Sequence, residues 1–319
     1  MMLRFIAFFL LFAVSLGRLP ASAADPVFPL GSRMGFIPPP GFVASKRFPG
    51  FENPDTRSSI VMATLPPQAY AELEASITTE ALKKQGVTED KRETLTLAKG
   101  KGVFVMGNEQ DNGQKFRKWM LLGQLPEGVA LVAVLVPEQA LKTYSDDVIR
   151  ASLATLAVRA VVPLDEQIAL MPFKLTNLSA LRPIRVLGNA GVVLTEGASD
   201  TPTPNTQPMF AVTIGEGGPE QANDRANFAR SLFRGLGDLK DVHIISGDML
   251  RLGGGNLPTH ELQAEAKEAF TDTPMKLVQW VRFGPGTFIR MLGIARADQW
   301  PAAFPHFRAV RDGVAPRDQ

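Results

Sequence analysis

The residues of this chain that could do chemistry are few, and His260 followed by Glu261 is the most suggestive pair. In a His-Glu-x-x-His helix, two histidines one turn apart ligate zinc and the glutamate acts as a base. Here Ala264 replaces the second histidine, and the segment has the pattern of a strand. With three histidines and no cysteine, a zinc site would need histidines from separate elements to converge. The sequence therefore predicts no metal ion and no cofactor.

The chain also lacks the local motifs of common hydrolases. It contains no Gly-x-Ser-x-Gly elbow and no Ser-x-x-Lys dyad. The turn Gly253–Gly255 lacks the Gly-Lys-Ser/Thr ending of a phosphate loop and is predicted to be a hairpin turn. The acidic pairs at 146–147 and 165–166 fit a helix start and a linker better than a catalytic pair. Because a triad is defined by geometry, an enzyme whose residues converge only in three dimensions stays open as an alternative.

Binding is the other kind of chemistry, and its candidates lie in the second half of the chain. They are His260, Glu261, Trp280, Arg282 and Arg290. The arginines lie on or beside the last hairpin together with Arg296, and such a cluster could attract an anionic ligand. The alternatives are a solvated strand face for the arginines and a partly buried structural histidine for His260. Trp280 and its counterpart Trp119 occur on matching strands, which favours a core position for both.

The elements that must position these residues occur twice along the chain. An apolar strand at 128–135 follows a Pro-containing turn, and a second one at 286–293 follows another, at an offset of 158 residues. Each is preceded by a tryptophan-containing segment, so each half is predicted to carry a two-strand hairpin. Each is followed by a predicted helix, one from Ser145 to Ala157 and one near Pro301 with Asp298 as a possible cap.

The earlier parts of the two halves also correspond. A strand at 58–65 precedes a helix predicted over 69–84, and a strand at 209–214 precedes a helix predicted over 220–236. The strand pairs between helix and hairpin are Arg92–Leu97 with Gly102–Asn108, and Val242–Arg251 with Leu257–Ala266. Tight turns make consecutive strands antiparallel. The predicted fold class is therefore α+β, with two tandem α/β/α sandwich modules, each with a mainly antiparallel sheet and two principal helices.

The start of the chain has the pattern of an export signal. A basic start at 1–4 precedes an apolar run at 5–17 and the small residues Ala21-Ser22-Ala23-Ala24. We expect a signal peptide over 1–24, cleaved after Ala23 or Ala24, with an uncleaved anchor as the alternative. The predicted domains are then 25–162 and 163–319, and the best linker is Val161–Ala169. These features predict a periplasmic protein with no membrane span in its mature form.

Composition narrows the classes of partner. Without cysteine an exported chain has no disulfides, so its stability must come from packed cores. Removing Arg4 and Arg18 with the signal leaves 32 basic residues against 32 acidic ones. A formally neutral chain with no basic block argues against nucleic acid as a partner. A hydrophobic content of 45% indicates a folded protein, with loose stretches such as Glu196–Pro208 expected on the surface.

Three segments carry a resemblance to a known family. They are the opening Gly35-Phe36-Ile37-Pro38-Pro39-Pro40-Gly41-Phe42, the strand and helix over 60–84, and the hairpin with closing helix over 115–157. In this order they resemble the PsbP/Mog1-like α/β/α sandwich, as two tandem copies over nearly the whole mature chain. The second copy departs from the pattern at its start, where Ala180-Leu181-Arg182-Pro183 replaces Pro-Pro-Gly-Phe. The resemblance implies a noncatalytic binding or accessory role.

The prediction from sequence is thus a noncatalytic periplasmic protein that acts through a groove or an inter-module crevice. Its partner would be an envelope protein or a small ligand, which the sequence does not identify. An envelope-associated hydrolase with a non-sequential catalytic site is the alternative, and a structural scaffold whose second copy only caps the first is a third possibility.

Overall fold

A computed structural model describes residues 24–233, 235–252 and 257–317. The predicted signal peptide up to residue 23 and the predicted turn Gly253–Gly255 lie outside the described residues. The described residues divide into two compact units. Unit 1 comprises residues 24–29 and Met34–Val158, and unit 2 comprises Leu30–Arg33 and residues 159–317.

Unit 1 is built on a seven-stranded antiparallel sheet with the order β2-β3-β4-β8-β7-β6-β5. A separate two-stranded pair joins β1 to β9. The strands are β1 (Met34–Gly35), β2 (Val43–Ala44), β3 (Gly50–Asn53), β4 (Ser58–Leu65), β5 (Val87–Leu97), β6 (Gly100–Asp111), β7 (Gln114–Leu125), β8 (Gly128–Pro137) and β9 (Ala157–Val158). The helices are α1 (Tyr70–Ser76), α2 (Thr79–Lys84) and α3 (Asp146–Ala154).

The helix predicted over 69–84 is divided into α1 and α2. Thr78 has an extended backbone between them, and its hydroxyl accepts a hydrogen bond from the Ala81 amide. Such a cap satisfies one of the free amides at the start of α2, so a new helix begins there. Apolar spacing alone did not reveal this break, because Ile77 and Leu82 on either side of it are both buried.

Helices cover both faces of the sheet in unit 1. On one face, Ile149 and Leu153 of α3 pack in one cluster with Trp119 of β7. On the other face, Leu82 of α2 packs in a second cluster with Leu122 of β7. Successive side chains of a strand point to opposite faces, so β7 contributes to both cores. The burial of two faces explains the nearly continuous apolar run of the central strands.

Unit 2 has a seven-stranded antiparallel sheet with the order β11-β12-β13-β17-β16-β15-β14, which matches unit 1 position by position. Its short strands β10 and β18 pair separately. The strands are β10 (Phe173–Leu175), β11 (Arg182–Leu187), β12 (Gly191–Thr195), β13 (Met209–Glu216), β14 (Leu239–Leu252), β15 (Leu257–Glu268), β16 (Pro274–Phe283), β17 (Thr287–Arg296) and β18 (Val314–Pro316). The helices are α4 (Leu164–Ala169), α5 (Ala222–Ser231) and α6 (Trp300–Asp312).

Two helices again cover opposite faces of the sheet. Phe307 of α6 packs with Trp280 on one face, and Ala229 of α5 packs with Val281 on the other. We call these the α6 face and the α5 face. Phe307 approaches β17 closely at Gly293, where an added Cβ would lie 2.5 Å from the ring. Glycine at this position therefore allows α6 to pack against the sheet.

The predicted fold class is confirmed, since both sheets are antiparallel and each carries a helix layer on either face. Three details differ from the prediction. The proposed linker ends in helix α4, and α5 is shorter than the segment predicted over 220–236. Gln299 precedes α6 without a side-chain cap, because the Asp298 carboxylate accepts hydrogen bonds from Arg296. No helix within the described ranges is long and apolar enough to cross a membrane.

Candidate functional site

The five binding candidates from the sequence lie on two opposite faces of the unit 2 sheet. In β15 and β16, His260 is paired with Val281 and Glu261 with Trp280. Val281 belongs to the core under α5, and Trp280 belongs to the core under α6. His260 and Arg290 therefore face α5, whereas Glu261, Trp280 and Arg282 face α6.

The residues facing α6 form a buried structural cluster. The indole Nε1 of Trp280 donates to the Glu261 carboxylate at 2.6 Å. The Arg311 guanidinium lies 4.9 Å from the Trp280 ring centroid, and its Nη1 is 3.6 Å from the same carboxylate. A buried indole N–H needs an acceptor, and Glu261 provides it. This contact accounts for Glu261 and Trp280 without any ligand.

Arg282 also has a structural explanation. Its Nη1 donates to the Val314 carbonyl of β18 at 3.0 Å, and its Nε lies 3.5 Å from the Thr259 hydroxyl. Burial, followed by repulsion from Arg311, lowers the pKa of Arg282 below its usual value. The side chain therefore links the short strand β18 to the main sheet.

Arg290 holds the end of α5 against the sheet. Its guanidinium donates to Gln279 Oε1 at 2.7 Å and to the Leu232 carbonyl at 2.8 Å. Gln279 donates in turn to the Ala229 carbonyl at 2.8 Å. Burial lowers the pKa of Arg290 to about 10. A cation at the carbonyl end of a helix is stabilising, so the main role of this residue is to anchor the helix.

The three arginines near the last hairpin do not form one basic patch. Arg282 and Arg290 point to opposite faces, and Arg296 forms an ion pair with Asp298 at 2.5 Å. Alternation along antiparallel strands explains the difference, because neighbours in sequence are separated by the thickness of the sheet. The side chains of Arg282 and Arg290 therefore do not share one face of this hairpin.

A groove between α5 and β14 is the candidate site, and we call it the α5–β14 groove. It consists of two cavities, of about 540 and 190 Å³, that share Arg230. The larger cavity is lined by Asn227, Arg230, Ser231, Phe233, Val242 and Ile244. The smaller is lined by Ala226, Arg230, Gly247, Asp248, Met249, His260, Glu261 and Leu262.

His260 reaches the smaller cavity from the sheet. It is only 8% exposed, and its ring meets the edge of Phe283 at 5.7 Å between centroids. Neither ring nitrogen forms a hydrogen bond within the described part of the chain. Burial lowers the pKa of His260, and the positive charges of Arg225 and Arg230 lower it further. The lowered pKa favours the neutral imidazole, which has one donor and one acceptor nitrogen.

Gly247 keeps the floor of the groove open. It lies opposite Leu262 in the ladder, where an added Cβ would be 2.9 Å from Leu262 Cδ2 and 3.7 Å from Arg230 Nη2. Met249 lies opposite His260 on the same face. Asp248 also lines the cavity, and it lies opposite Glu261, so the strand register directs its side chain to the α6 face.

The outer side of the groove is the edge strand β14. Its exposed apolar side chains are Ile244 at 38%, Ile245 at 55% and Met249 at 58%. A bulge lies between Ile244 and Ser246, and from Ser246 to Leu252 the pairing with β15 is uninterrupted. An exposed edge strand has unpaired N–H and C=O groups that can pair with another chain.

The corresponding edge of unit 1 is protected. In β5, residues 89–93 are all charged, and each is in an ion pair. Helices α2 and α3 both contact this strand. In β14, residues 242–247 include no Asp, Glu, Lys or Arg. Charged edges prevent unwanted pairing, and this difference sets the β14 edge apart from its counterpart.

The charge state of His260 gives a testable pH dependence. Arg230 of α5 lines the cavity with it, Arg225 of the same helix is close enough to repel its charged form, and Asp248 and Glu261 line the strand side. Because its folded pKa is lowered, the unfolded state binds more protons, and stability falls as pH drops through the ordinary value of 6.5. We expect His260→Asn to destabilise unit 2 less at about pH 5.5 than at about pH 7.5. Urea unfolding at both pH values measures this.

His243→Asn is the matched control, because His243 is an exposed residue of the same edge strand. Its effect on stability should be small, because its side chain is exposed. If His260→Asn loses the same stability at both pH values, the lowered pKa of His260 in the folded protein is contradicted.

A cleft that holds His260 beside a serine or beside two carboxylates would favour a hydrolase. No serine lines the smaller cavity. Asp248 and Glu261 do line it, but the strand register directs both side chains to the α6 face, and His260 has no side-chain hydrogen-bond partner among the described residues. Within the same residues there is no group of three or more His, Cys, Asp or Glu side chains that could hold a metal ion.

Sequence reasoning identified His260 but missed Arg230, Gly247 and Met249. The uncharged segment at 242–247 was visible in the sequence. Its meaning depends on β14 being an edge strand, and strand order is not given by spacing alone.

Comparison with known proteins gives distant likenesses only. No family model and no curated protein matches the chain. LpqN of Mycobacterium tuberculosis, described as involved in cell envelope biogenesis, is 15% identical with a TM-score of 0.35, covering 46% of this chain and 83% of its own. The cyanobacterial PsbP of Synechocystis is 14% identical with a TM-score of 0.32, covering 44% and 83%. The type VI secretion immunity protein TplEi of Pseudomonas aeruginosa is 12% identical with a TM-score of 0.29, covering 92% and 97%. The fold assignment therefore rests on the strand order and packing above.

Proposed function

We propose that the protein is a noncatalytic binding module of the bacterial periplasm and that unit 2 binds an extended segment of another envelope protein. The segment adds to the sheet as a strand beside β14. The observation that carries this proposal is the contrast between the two equivalent edges. The β5 edge has five paired charges, whereas the β14 edge exposes Ile245 and Met249 beside a groove.

Strand addition uses both parts of this site. The uninterrupted register over 246–252 supplies seven consecutive residues with which an added strand can align. Main-chain hydrogen bonds at the edge supply affinity, and pockets for alternate side chains supply specificity. The cavities on the α5 face of β14 lie where those alternate side chains would point.

The periplasmic location is part of the proposal. Its support is the predicted signal peptide over 1–24. An exported chain meets its partners in the envelope, and a protein segment is the kind of ligand that an unpaired strand edge recognises.

The test uses displayed random peptides of about twelve residues, which is long enough to form a strand. Peptides are selected on the intact protein, and hydrogen exchange then maps where they bind. We expect protection of amides over 246–252 and an alternating apolar pattern in the selected peptides. Met249→Lys should weaken their binding about tenfold or more, because a charge would be buried against the peptide.

Thr96→Lys on the β5 edge is the matched control, since Thr96 is an exposed residue of an equivalent strand. It should leave binding unchanged. The proposal fails if the selected peptides protect other amides, or if Met249→Lys and Thr96→Lys bind them as tightly as the unchanged protein does.

A further inference from the structure

We infer that the smaller cavity of the α5–β14 groove binds a carboxylate, held by Arg230 and His260. This inference rests on the proposed function, because it names the side chain that the bound segment would present there. The occupant to which it commits is an acidic side chain of that segment.

His260 is the first observation. It is more than nine-tenths buried, yet it forms no hydrogen bond with any described residue. Its ring nitrogens are not among the buried side-chain atoms that lack a partner in the described chain. They are therefore accessible from the cavity that the ring lines and can bind a group placed there. The cavity that it lines has a volume of about 190 Å³, which suits a side-chain terminus rather than a large ligand.

Arg230 is the second and independent observation. It lies in the last turn of α5 and lines both cavities, and its side chain forms no ion pair or hydrogen bond with a described residue. Its planar guanidinium can donate two parallel hydrogen bonds to a carboxylate. Arginine at this position therefore supplies both the charge and the geometry of a carboxylate site.

The surrounding charges favour an anion. Arg225 on the same helix donates to the carbonyl oxygens of Pro219 and Glu220 at 3.2 Å and lies over the Phe283 ring. The two carboxylates nearby, Asp248 and Glu261, belong to positions that face α6. Positive charge on the α5 face is thus without a carboxylate partner at this cavity.

The edge strand explains why the carboxylate would come from a polypeptide. A strand added beside residues 246–252 directs alternate side chains to the face that carries Gly247, Met249 and His260. The missing side chain at Gly247 leaves the path from the edge to Arg230 open. An acidic residue at one of these alternate positions would reach the cavity.

The experiment uses hexanoate as the probe and hexanamide as its uncharged match. Binding to the intact protein is followed by NMR of the His260 ring. We expect hexanoate to shift the ring signals, and hexanamide to bind about tenfold more weakly or not at all. Arg230→Gln should weaken hexanoate binding about tenfold or more, and its folding should be unaffected because Arg230 is exposed and unpaired.

Arg308→Gln on α6 is the matched control and should bind hexanoate normally. The inference is overturned if hexanoate leaves the His260 ring unshifted, or if Arg230→Gln binds it as well as the unchanged protein. Neither result would change the protection of amides 246–252 by bound peptides, which tests the proposed function. Failure of this inference can therefore be told apart from failure of the proposed function. The carboxylate could come from an acidic side chain or from the C-terminus of the peptide, and selected peptides with an amidated C-terminus distinguish the two. If amidation abolishes binding, the cavity binds a terminal carboxylate and the inference of an acidic side chain is overturned.

Discussion

Replacing Trp280 with alanine is expected to lower the free energy of unfolding of unit 2 by about 3–5 kcal/mol. The indole is fully buried, stacks near Phe304 at 6.3 Å between centroids and lies beneath the Arg311 guanidinium. Its loss would leave a cavity and deprive the Glu261 carboxylate of its 2.6 Å hydrogen bond. Both effects destabilise the folded state.

Hydrogen exchange of amides in β15–β17 measures this change, because it reports on unit 2 separately from unit 1. Trp280→Phe is the matched variant, since it retains most of the burial and removes the N–H donor. It should cost about 1–3 kcal/mol. If Trp280→Ala lowers the free energy of unfolding by less than about 3 kcal/mol, the α6 face is not packed around this side chain.

Replacing Asp146 with alanine is expected to destabilise unit 1 by about 2 kcal/mol. Its carboxylate accepts hydrogen bonds from Trp119 Nε1 at 2.9 Å and from Arg117 Nη2 at 2.9 Å. Burial by itself would raise the pKa of Asp146, but the Arg117 hydrogen bonds and charge outweigh it and lower the pKa. A lowered pKa stabilises the fold above the ordinary value of 3.8, and this contribution is lost as pH falls through the folded pKa.

Urea unfolding of Asp146→Ala at neutral and acidic pH checks both parts of this prediction. The difference from the unchanged protein should narrow as the carboxylate becomes protonated. Asp147→Ala is the control for the helix macrodipole, because Asp147 is also in the first turn of α3 but is exposed. Equal losses for the two variants would show that the contacts with Arg117 and Trp119 contribute nothing.

The two units reach the same buried arrangement from different residues. In unit 1, Trp119 donates a hydrogen bond to a carboxylate of α3, and the Arg117 guanidinium lies 5.8 Å from its ring centroid. In unit 2, Trp280 donates a hydrogen bond to a carboxylate of β15, and the arginine over its ring is Arg311 of α6. The matching tryptophans were visible in the sequence, whereas their partners were not. A carboxylate on the neighbouring strand or on a helix has no fixed spacing in sequence from the tryptophan.

Much of the fold could be predicted because it depends on local patterns. Apolar runs, Gly-containing turns and the repeat at an offset of 158 residues located the hairpins of both units. The break at Thr78 and the uncapped start of α6 were not predicted, since each depends on which side chain takes a hydrogen bond. Of the five binding candidates, His260 and Glu261 line the smaller cavity of the candidate site. The other residues of the site belong to α5, β14 and β15, and they come together only when α5 packs against one face of the sheet.

The short strand pairs that close each unit determine how the chain responds to tension. In unit 1, Met34 is opposite Val158, and in unit 2, Phe173 is opposite Pro316, so the chain enters and leaves each unit side by side. A force that pulls these two points apart loads the hydrogen bonds one after another instead of shearing them together. Pulling on the ends would therefore unzip β1 from β9 and β10 from β18 at low force, before the seven-stranded sheets bear any load.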